Sequence, residues 1–136
     1  MSDLYRDDLF DAYARLPEVG IALIDRDGQV LRANALFMSM VHLPEDQAQK
    51  TNYFDITDAA DIQHERSKFE ELLSGKSPLY IIEKRLRTSA NKGHYAGFLH
   101  VECMVMRYGD EQEEPFFLVH MQETKVYRHF KTPQAE

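Results

Sequence analysis

Two short, largely apolar runs lie on either side of a single Asp-Gly pair near the start of the chain. The runs are Val19 to Asp25 and Gln29 to Ala33, and residues 26–28 separate them. Asp-Gly supplies the positive φ angles that a tight hairpin turn requires. The pattern therefore predicts two antiparallel strands joined by a short turn.

Two helices are predicted to follow this hairpin. Asn34 is suited to cap the first helix, because its side-chain oxygen accepts hydrogen bonds from the free N–H groups that begin a helix. The apolar face of the first helix consists of Leu36, Phe37, Met40 and Val41. The second helix extends from Asp58 to Leu73, and its apolar stripe consists of Ile62, Phe69, Leu72 and Leu73. Short helical turns are expected between the two helices, from Pro44 to Thr57.

Three strands are predicted after the second helix, at Leu79 to Arg87, Tyr95 to Met106 and Phe116 to Glu123. Side chains alternate between the two faces of a strand. In the middle strand one face carries Leu99, Val101, Cys103 and Val105, and the other carries Phe98, His100, Glu102, Met104 and Met106. We expect the first of these two sets to face the interior.

The two ends of the chain differ from the part between them. The apolar residues Tyr5, Leu9, Ala12 and Leu16 recur at helical spacing, which predicts an N-terminal amphipathic helix within residues 1–17. Residues 18–124 form the predicted domain, and the polar residues 125–136 are interpreted as a linker or tail. Because both faces of the late strands are apolar, the second face of the sheet needs cover from the N-terminal helix or from a partner subunit.

The balance of charge and the single cysteine exclude several classes of protein. Lys and Arg number 16 against 23 Asp and Glu, so the 136 residues carry a net charge of -7 and no nucleic-acid partner is expected. No apolar run approaches the ~20 residues that cross a bilayer, so no membrane insertion is expected. The acidic N-terminus is unlike a signal peptide, and the lone Cys103 excludes an internal disulfide. These features indicate a cytoplasmic protein.

The order of elements, with the spacing of Gly20, Asp25, Gly28 and Asn34, resembles the PAS domain family of sensory modules. The resemblance covers roughly Val19 to Thr124. It implies an α+β fold in which a five-stranded antiparallel sheet has helices packed on one face. In this family the sheet and helices enclose a pocket that holds a metabolite, a haem, a flavin or nothing, depending on the member.

The resemblance implies a sensor or dimerisation module and not a catalyst. Such a module binds a small molecule, mediates dimerisation, or does both, and regulates a downstream kinase or cyclase output domain in two-component or cyclic-dinucleotide signalling. A homodimer through the N-terminal helix and the sheet face is the expected assembly. The pocket walls implied by the resemblance are Phe37, Met40, Tyr53, Phe54, Phe69, Leu99, Val101 and Cys103.

A small organic metabolite is favoured over haem, a flavin adduct or a metal. Haem-binding members carry their axial histidine on the helix where this chain has His64, but His64 lies roughly 200° around the helix from Ile62 at about 100° per residue. Flavin-adduct members carry their cysteine in the short-helix region, where this chain has TNYFDIT. We interpret Cys103 as a small core residue. No spacing of metal-ligating residues supports a metal site.

Two alternatives remain open from the sequence. One is a ketosteroid-isomerase-like small cone-fold enzyme, which would use a buried Asp or His as acid or base. Such folds place their main helices before the sheet, whereas here the hairpin precedes the core helices. The other is a ligand-free dimerisation scaffold, whose core the abundant Phe, Met and Leu side chains would fill.

Overall fold

The structure, a computed structural model, describes residues 10–12, 15, 18–41, 45–87, 98–108 and 115–124. The strands are β1 (Gly20–Asp25), β2 (Val30–Ala33), β3 (Leu79–Arg87), β4 (Phe98–Tyr108) and β5 (Phe116–Glu123). The α-helices are α1 (Ala35–Val41) and α2 (Ala59–Leu73), and two 3-10 helices lie between them, η1 (Glu45–Lys50) and η2 (Tyr53–Ile56).

The five strands form one antiparallel sheet in the order β2-β1-β5-β4-β3. The last strand of the chain therefore lies in the middle of the sheet. Leu118 of β5 pairs with Leu23 of β1 on one side and with Met106 of β4 on the other. The α+β architecture predicted from the sequence, with helices on one face of a five-stranded sheet, is confirmed.

Most element boundaries agree with the sequence prediction. The predicted bounds of β3 and β5 are confirmed at both ends, but β4 extends past the predicted end at Met106 to Tyr108, because Tyr108 still pairs with Phe116 of β5. The predicted start of β4 at Tyr95 lies outside the described residues. So do the tail from residue 125 and most of the predicted N-terminal helix, of which residues 10–12 are helical.

The hairpin turn between β1 and β2 depends on Asp25 and Gly28. The Asp25 carboxylate accepts hydrogen bonds from the backbone N–H groups of Asp27 and Gln29, at 2.9 and 3.0 Å. Gly28 has a φ of 89°, which residues with a side chain rarely adopt. A Cβ at this position would lie 2.5 Å from the Phe54 ring, so the turn packs directly against η2.

Asn34 joins the hairpin to α1. Its Oδ1 accepts hydrogen bonds from the N–H of Phe37 at 2.9 Å, which is the predicted helix cap, and from the N–H of Ile21 at 3.0 Å. Its Nδ2 donates to the carbonyl of Val19 at 3.1 Å. One side chain therefore both begins the helix and fixes it against the first strand.

The helices pack on one face of the sheet, where the main hydrophobic core lies. Each layer contributes large, fully buried side chains, among them Phe37 of α1, Tyr53 of η2, Leu72 of α2 and Phe117 of β5. The opposite, outer face carries a smaller cluster centred on Phe10, Ile21, Leu23, Tyr108 and Leu118.

Both ends of α2 are attached to the sheet. Near its start, the Asp61 carboxylate accepts hydrogen bonds from the Arg85 backbone N–H at 2.9 Å and from the Arg85 guanidinium at 3.0 Å. At its end, the Arg107 guanidinium donates to the carbonyls of Leu72 and Leu73, at 3.4 and 3.1 Å. The long helix is thereby held across β3 and β4.

Candidate functional site

The structure brings the predicted pocket residues together on the inner face of the sheet. Seven of them are buried members of the main core, namely Phe37, Met40, Tyr53, Phe54, Phe69, Val101 and Cys103, and Leu99 packs half-buried against them. The aromatic rings contact one another closely. The Phe54 ring lies 5.4 Å from that of Tyr53 and 5.0 Å from that of Phe69, both edge to face. These rings therefore occupy space between α2 and the sheet.

An ion pair that the sequence analysis missed lies beside these rings. The ammonium of Lys84 on β3 contacts the carboxylate of Glu65 on α2, and both side chains are completely buried. The Lys84 Nζ also lies 4.0 Å from the centre of the Tyr53 ring. Fully buried charges are rare in proteins and require hydrogen-bonding partners.

Three hydroxyl groups surround this ion pair. Lys84 Nζ donates to Glu65 Oε1, to the Tyr53 hydroxyl at 2.9 Å and to Thr57 Oγ1 at 2.8 Å. Glu65 Oε2 accepts from the hydroxyls of Tyr53 and Tyr80, each at 2.7 Å, and Oε1 accepts from Thr57 Oγ1 at 3.4 Å. We call Glu65, Lys84, Tyr53, Tyr80 and Thr57 the Glu65 network. Because an ammonium has three N–H donors, Lys84 is fully satisfied within it.

Burial keeps two phenols and one thiol of this region in their neutral forms. It raises the pKa of the Tyr53 phenol well above its usual range, and the nearby Cys103 and Glu65 raise it further. Burial, and next the charge of Glu65, likewise raise the pKa of Tyr80. Burial also raises the pKa of the Cys103 thiol to about 11. At neutral pH both phenols therefore donate hydrogen bonds to the carboxylate, and the thiol is protonated.

A family model described as PAS fold matches residues 17–124. The chain belongs to the PAS family. As a PAS domain it is a sensory module, of a class that is generally non-catalytic. The PAS fold, and not a ketosteroid-isomerase-like cone, is therefore the architecture of this chain.

Solved PAS domains share this fold at low sequence identity. The PAS domain of a two-component sensor histidine kinase is 18% identical with a TM-score of 0.66, and the match covers 91% of this chain and 100% of that one. A PAS domain from Desulfitobacterium hafniense is 18% identical with a TM-score of 0.63, and the match covers 84% of this chain and 99% of that one. The PAS domain of the Cronobacter turicensis RpfR quorum-sensing receptor, in complex with BDSF, is 18% identical with a TM-score of 0.61. That match covers 81% of this chain and 97% of the other. A search of curated proteins found no match.

The positions of Glu65 and Lys84 in this PAS domain follow from local periodicity. Glu65 lies three residues after Ile62 and four before Phe69, so it shares the apolar stripe of α2. Lys84 lies two residues from Ile82 and from Leu86, and all three point inward from β3. The site could have been predicted from the sequence, because periodicity places the charged residues Glu65 and Lys84 at inward-facing positions.

A surface cleft of the PAS domain shares two side chains, Phe54 and Phe69, with the predicted pocket. It has a volume of about 360 Å³ and is lined by Arg26, Asp27, Phe54, Arg66, Phe69, Glu70 and Leu73. The Arg66 guanidinium lies 4.6 Å from the centre of the Phe54 ring. Phe54 and Phe69 belong both to this cleft and to the core, so they lie between the cleft and the interior.

The other chemical candidates of the sequence analysis, His64 and Cys103, do not belong to the Glu65 network. His64 is exposed on α2. Cys103 is a fully buried member of the core on β4. Within the described part of the chain, His, Cys, Asp and Glu side chains form no group of three or more that could hold a metal ion. The helices described in the structure include none that is long and apolar enough to span a bilayer.

Proposed function

We propose that this PAS domain is the input module of a signalling protein and binds a small organic molecule next to the Glu65 network. Binding regulates an output domain such as a kinase or a cyclase, and the PAS domain itself performs no catalysis. The observation that carries the proposal is the completely buried pair of Glu65 and Lys84 within the hydrophobic core.

The energetics of this pair favour a role in function. Removing two charges from water costs several kcal/mol per ion, and well-packed apolar side chains of similar volume are often as stabilising or more so. Stability alone is therefore a weak reason for Glu65 and Lys84 to lie in the core. Buried polar groups that converge inside apolar surroundings are typical of small-molecule sites.

The proposed ligand lies among the side chains predicted from the resemblance. Its apolar part contacts Phe37, Met40, Phe54, Phe69, Leu99, Val101 and Cys103, and its polar part contacts Tyr53 and the rest of the Glu65 network. Because the rings of Phe54 and Phe69 touch in the structure, the ligand reaches this space when they separate at the surface cleft. The RpfR PAS domain shares this fold and was solved in complex with BDSF and in another structure with C12:0, which supports the binding of a small molecule by this chain.

Native mass spectrometry with a thermal-shift screen of metabolites tests this proposal. We expect a bound mass or a thermal shift with the parent protein, and a weaker shift with Met40→Ala. Phe69→Ala loosens the ligand further but also costs about 3 to 5 kcal/mol of stability through the cavity it leaves. The exposed His64→Ala is the matched control. Ligand binding is contradicted if mass spectrometry finds only bare protein and no metabolite shifts the melting temperature of the parent or of Met40→Ala. The ligand-free dimerisation scaffold is then the remaining function.

Self-association is a second function that one observation favours. Leu79 and Ile81 on the outer face of β3 are 37% and 57% exposed, and they pair with half-buried Met106 and Met104 of β4. Adjoining exposed apolar side chains are typical of interfaces. PAS domains of sensor kinases commonly dimerise, and we propose a homodimer through this outer face and the N-terminal helix.

Sedimentation of the full chain tests the proposed dimer. We expect Ile81→Glu, and a chain that begins at Pro17, to sediment as monomers, because each removes part of the proposed interface. Ser67→Glu adds the same charge at an exposed position of α2 and serves as the control. A monomer for the unaltered chain contradicts the proposal.

A further inference from the structure

We propose that the donors around Glu65 form a receptor for a carboxylate, which the Glu65 side chain itself occupies in this structure. The ligand of the domain is then an organic acid whose carboxylate takes the place of Glu65. This inference rests on the proposed function, because it names the chemical class of the ligand.

The donor set matches the chemistry of one carboxylate. A carboxylate has about four lone-pair sites and donates nothing when ionised. The oxygens of Glu65 receive hydrogen bonds from Tyr53, Tyr80, Thr57 and Lys84, two on each oxygen. One of these donors is a cation, which strengthens its hydrogen bond and compensates the buried negative charge. The same donors would satisfy any carboxylate held at this point.

The donors of the receptor belong to elements other than the helix that carries Glu65. Tyr53 and Thr57 come from η2 and its C-terminal cap, and Tyr80 and Lys84 come from β3, so α2 supplies only the acceptor. Lys84 is independently held by hydrogen bonds to the Tyr53 hydroxyl and to Thr57 Oγ1. Withdrawal of Glu65 therefore leaves a preorganised site with one unpaired ammonium.

When the carboxylate of the ligand replaces that of Glu65, the buried charge stays the same. Lys84 keeps one carboxylate partner throughout, and the displaced Glu65 carboxylate returns to water. Phe54 and Phe69, which lie near the network, supply apolar contacts for the rest of the acid. Because Glu65 lies on α2, exchange changes the position of this helix and so converts binding into a structural change.

Chemical rescue of Glu65→Ala tests the receptor. This variant removes the occupant but keeps the donors, and its thermal unfolding is followed by circular dichroism at neutral pH in sodium formate, acetate, butyrate or benzoate. We expect its melting temperature to rise with the concentration of the carboxylate salt, and to rise more than in the same concentration of sodium chloride. The reason is that a ligand that binds only the folded state stabilises that state. If Glu65→Ala is unfolded on its own, the regain of its folded spectrum on addition of acid is the measurement.

Two variants separate specific rescue from a general effect of salt. Glu65→Ala with Lys84→Met lacks the cation, so we expect its melting temperature to respond to these acids as it does to chloride. Glu71→Ala removes an exposed acid from the same helix, outside the cleft, and should respond like the parent. Equal shifts in carboxylate and chloride for Glu65→Ala, or equal rescue of the double variant, overturn the inference.

Failure of this inference and failure of the proposed function give different experimental results. If Glu65→Ala is rescued while the parent binds no metabolite, the donors do bind a carboxylate, but the proposed function fails and with it the inference that an organic acid displaces Glu65. If the parent binds a neutral metabolite while rescue fails, the proposed function stands and the carboxylate receptor is overturned.

Discussion

Glu65 and Lys84 contact each other across the interior, from α2 and β3, and neither side chain has any exposed surface. Removing one charge leaves the other buried and unpaired, whereas removing both avoids that penalty. We expect Lys84→Met to lower the free energy of unfolding by about 3 to 5 kcal/mol. Adding Glu65→Gln, which keeps an acceptor for Tyr53 and Tyr80, should recover much of the loss.

Urea unfolding of the parent, both single variants and the double variant measures this coupling. Lys68→Met on α2, where the side chain is half-buried, is the control and should change stability by less than about 0.5 kcal/mol. A double variant less stable than Lys84→Met alone would show that the pair is not coupled in this way.

Gly28 and Gly75 provide a matched pair for separating backbone strain from a steric clash. Both have positive φ, at 89° and 84°, but a Cβ on Gly28 meets Phe54 at 2.5 Å whereas one on Gly75 meets nothing within 4 Å. We expect Gly75→Ala to cost about 1 kcal/mol and Gly28→Ala at least about 2 kcal/mol. Denaturant unfolding measures both, and equal losses would contradict the clash with Phe54.

Asn34 should contribute more stability than a helix cap alone. Loss of a cap costs about 1 kcal/mol, and Asn34→Ala also removes the hydrogen bonds to Ile21 and Val19, so we expect a loss of about 2 kcal/mol. Asn34→Asp keeps the acceptor for Phe37 but loses the donor to Val19, so its loss should be intermediate. Urea unfolding that finds Asn34→Ala as stable as the parent would contradict this account.

Asp61 should make stability depend on pH in the acid range. The hydrogen bond from Arg85 lowers the pKa of Asp61, so the folded state releases this proton more readily than the unfolded state. The contribution of Asp61 to stability is fully present above the ordinary aspartate pKa of about 3.9. It is lost as the pH falls through the lower pKa that Asp61 has in the folded state. The partly exposed pair should contribute at most about 1 kcal/mol.

Urea unfolding between neutral pH and pH 3 tests this pH dependence. Asp61→Asn should lose less stability on acidification than the parent does. Asp55→Asn, at an exposed position of η2, is the control and should follow the parent. Parallel curves for the parent and Asp61→Asn would contradict the role of Arg85.

Local chemistry explains why much of the fold was predictable. The turn at Gly28 and the cap at Asn34 depend on residue types whose preferences act within a few positions of the chain. The end of β4 was not predictable in this way, because it depends on pairing between Tyr108 and the separate strand β5.

The candidate site was predictable in its apolar part and at Tyr53, but not at the ion pair. Phe37, Phe54 and Phe69 are large apolar residues at core-facing positions of predicted elements, so residue type and periodicity agree. Glu65 and Lys84 have residue types that belong on the surface, and only their periodicity places them inside. That they meet depends on how α2 packs against β3, which local pattern does not determine.

The central position of β5 has a consequence for biosynthesis. In the sheet order β2-β1-β5-β4-β3, β5 pairs with both β1 and β4 and so links the β1–β2 hairpin to the β3–β4 pair. A two-stranded hairpin is marginally stable by itself. A nascent chain therefore holds two incomplete halves until residues 116–123 leave the ribosome, and insertion of this single strand makes them one cooperative unit.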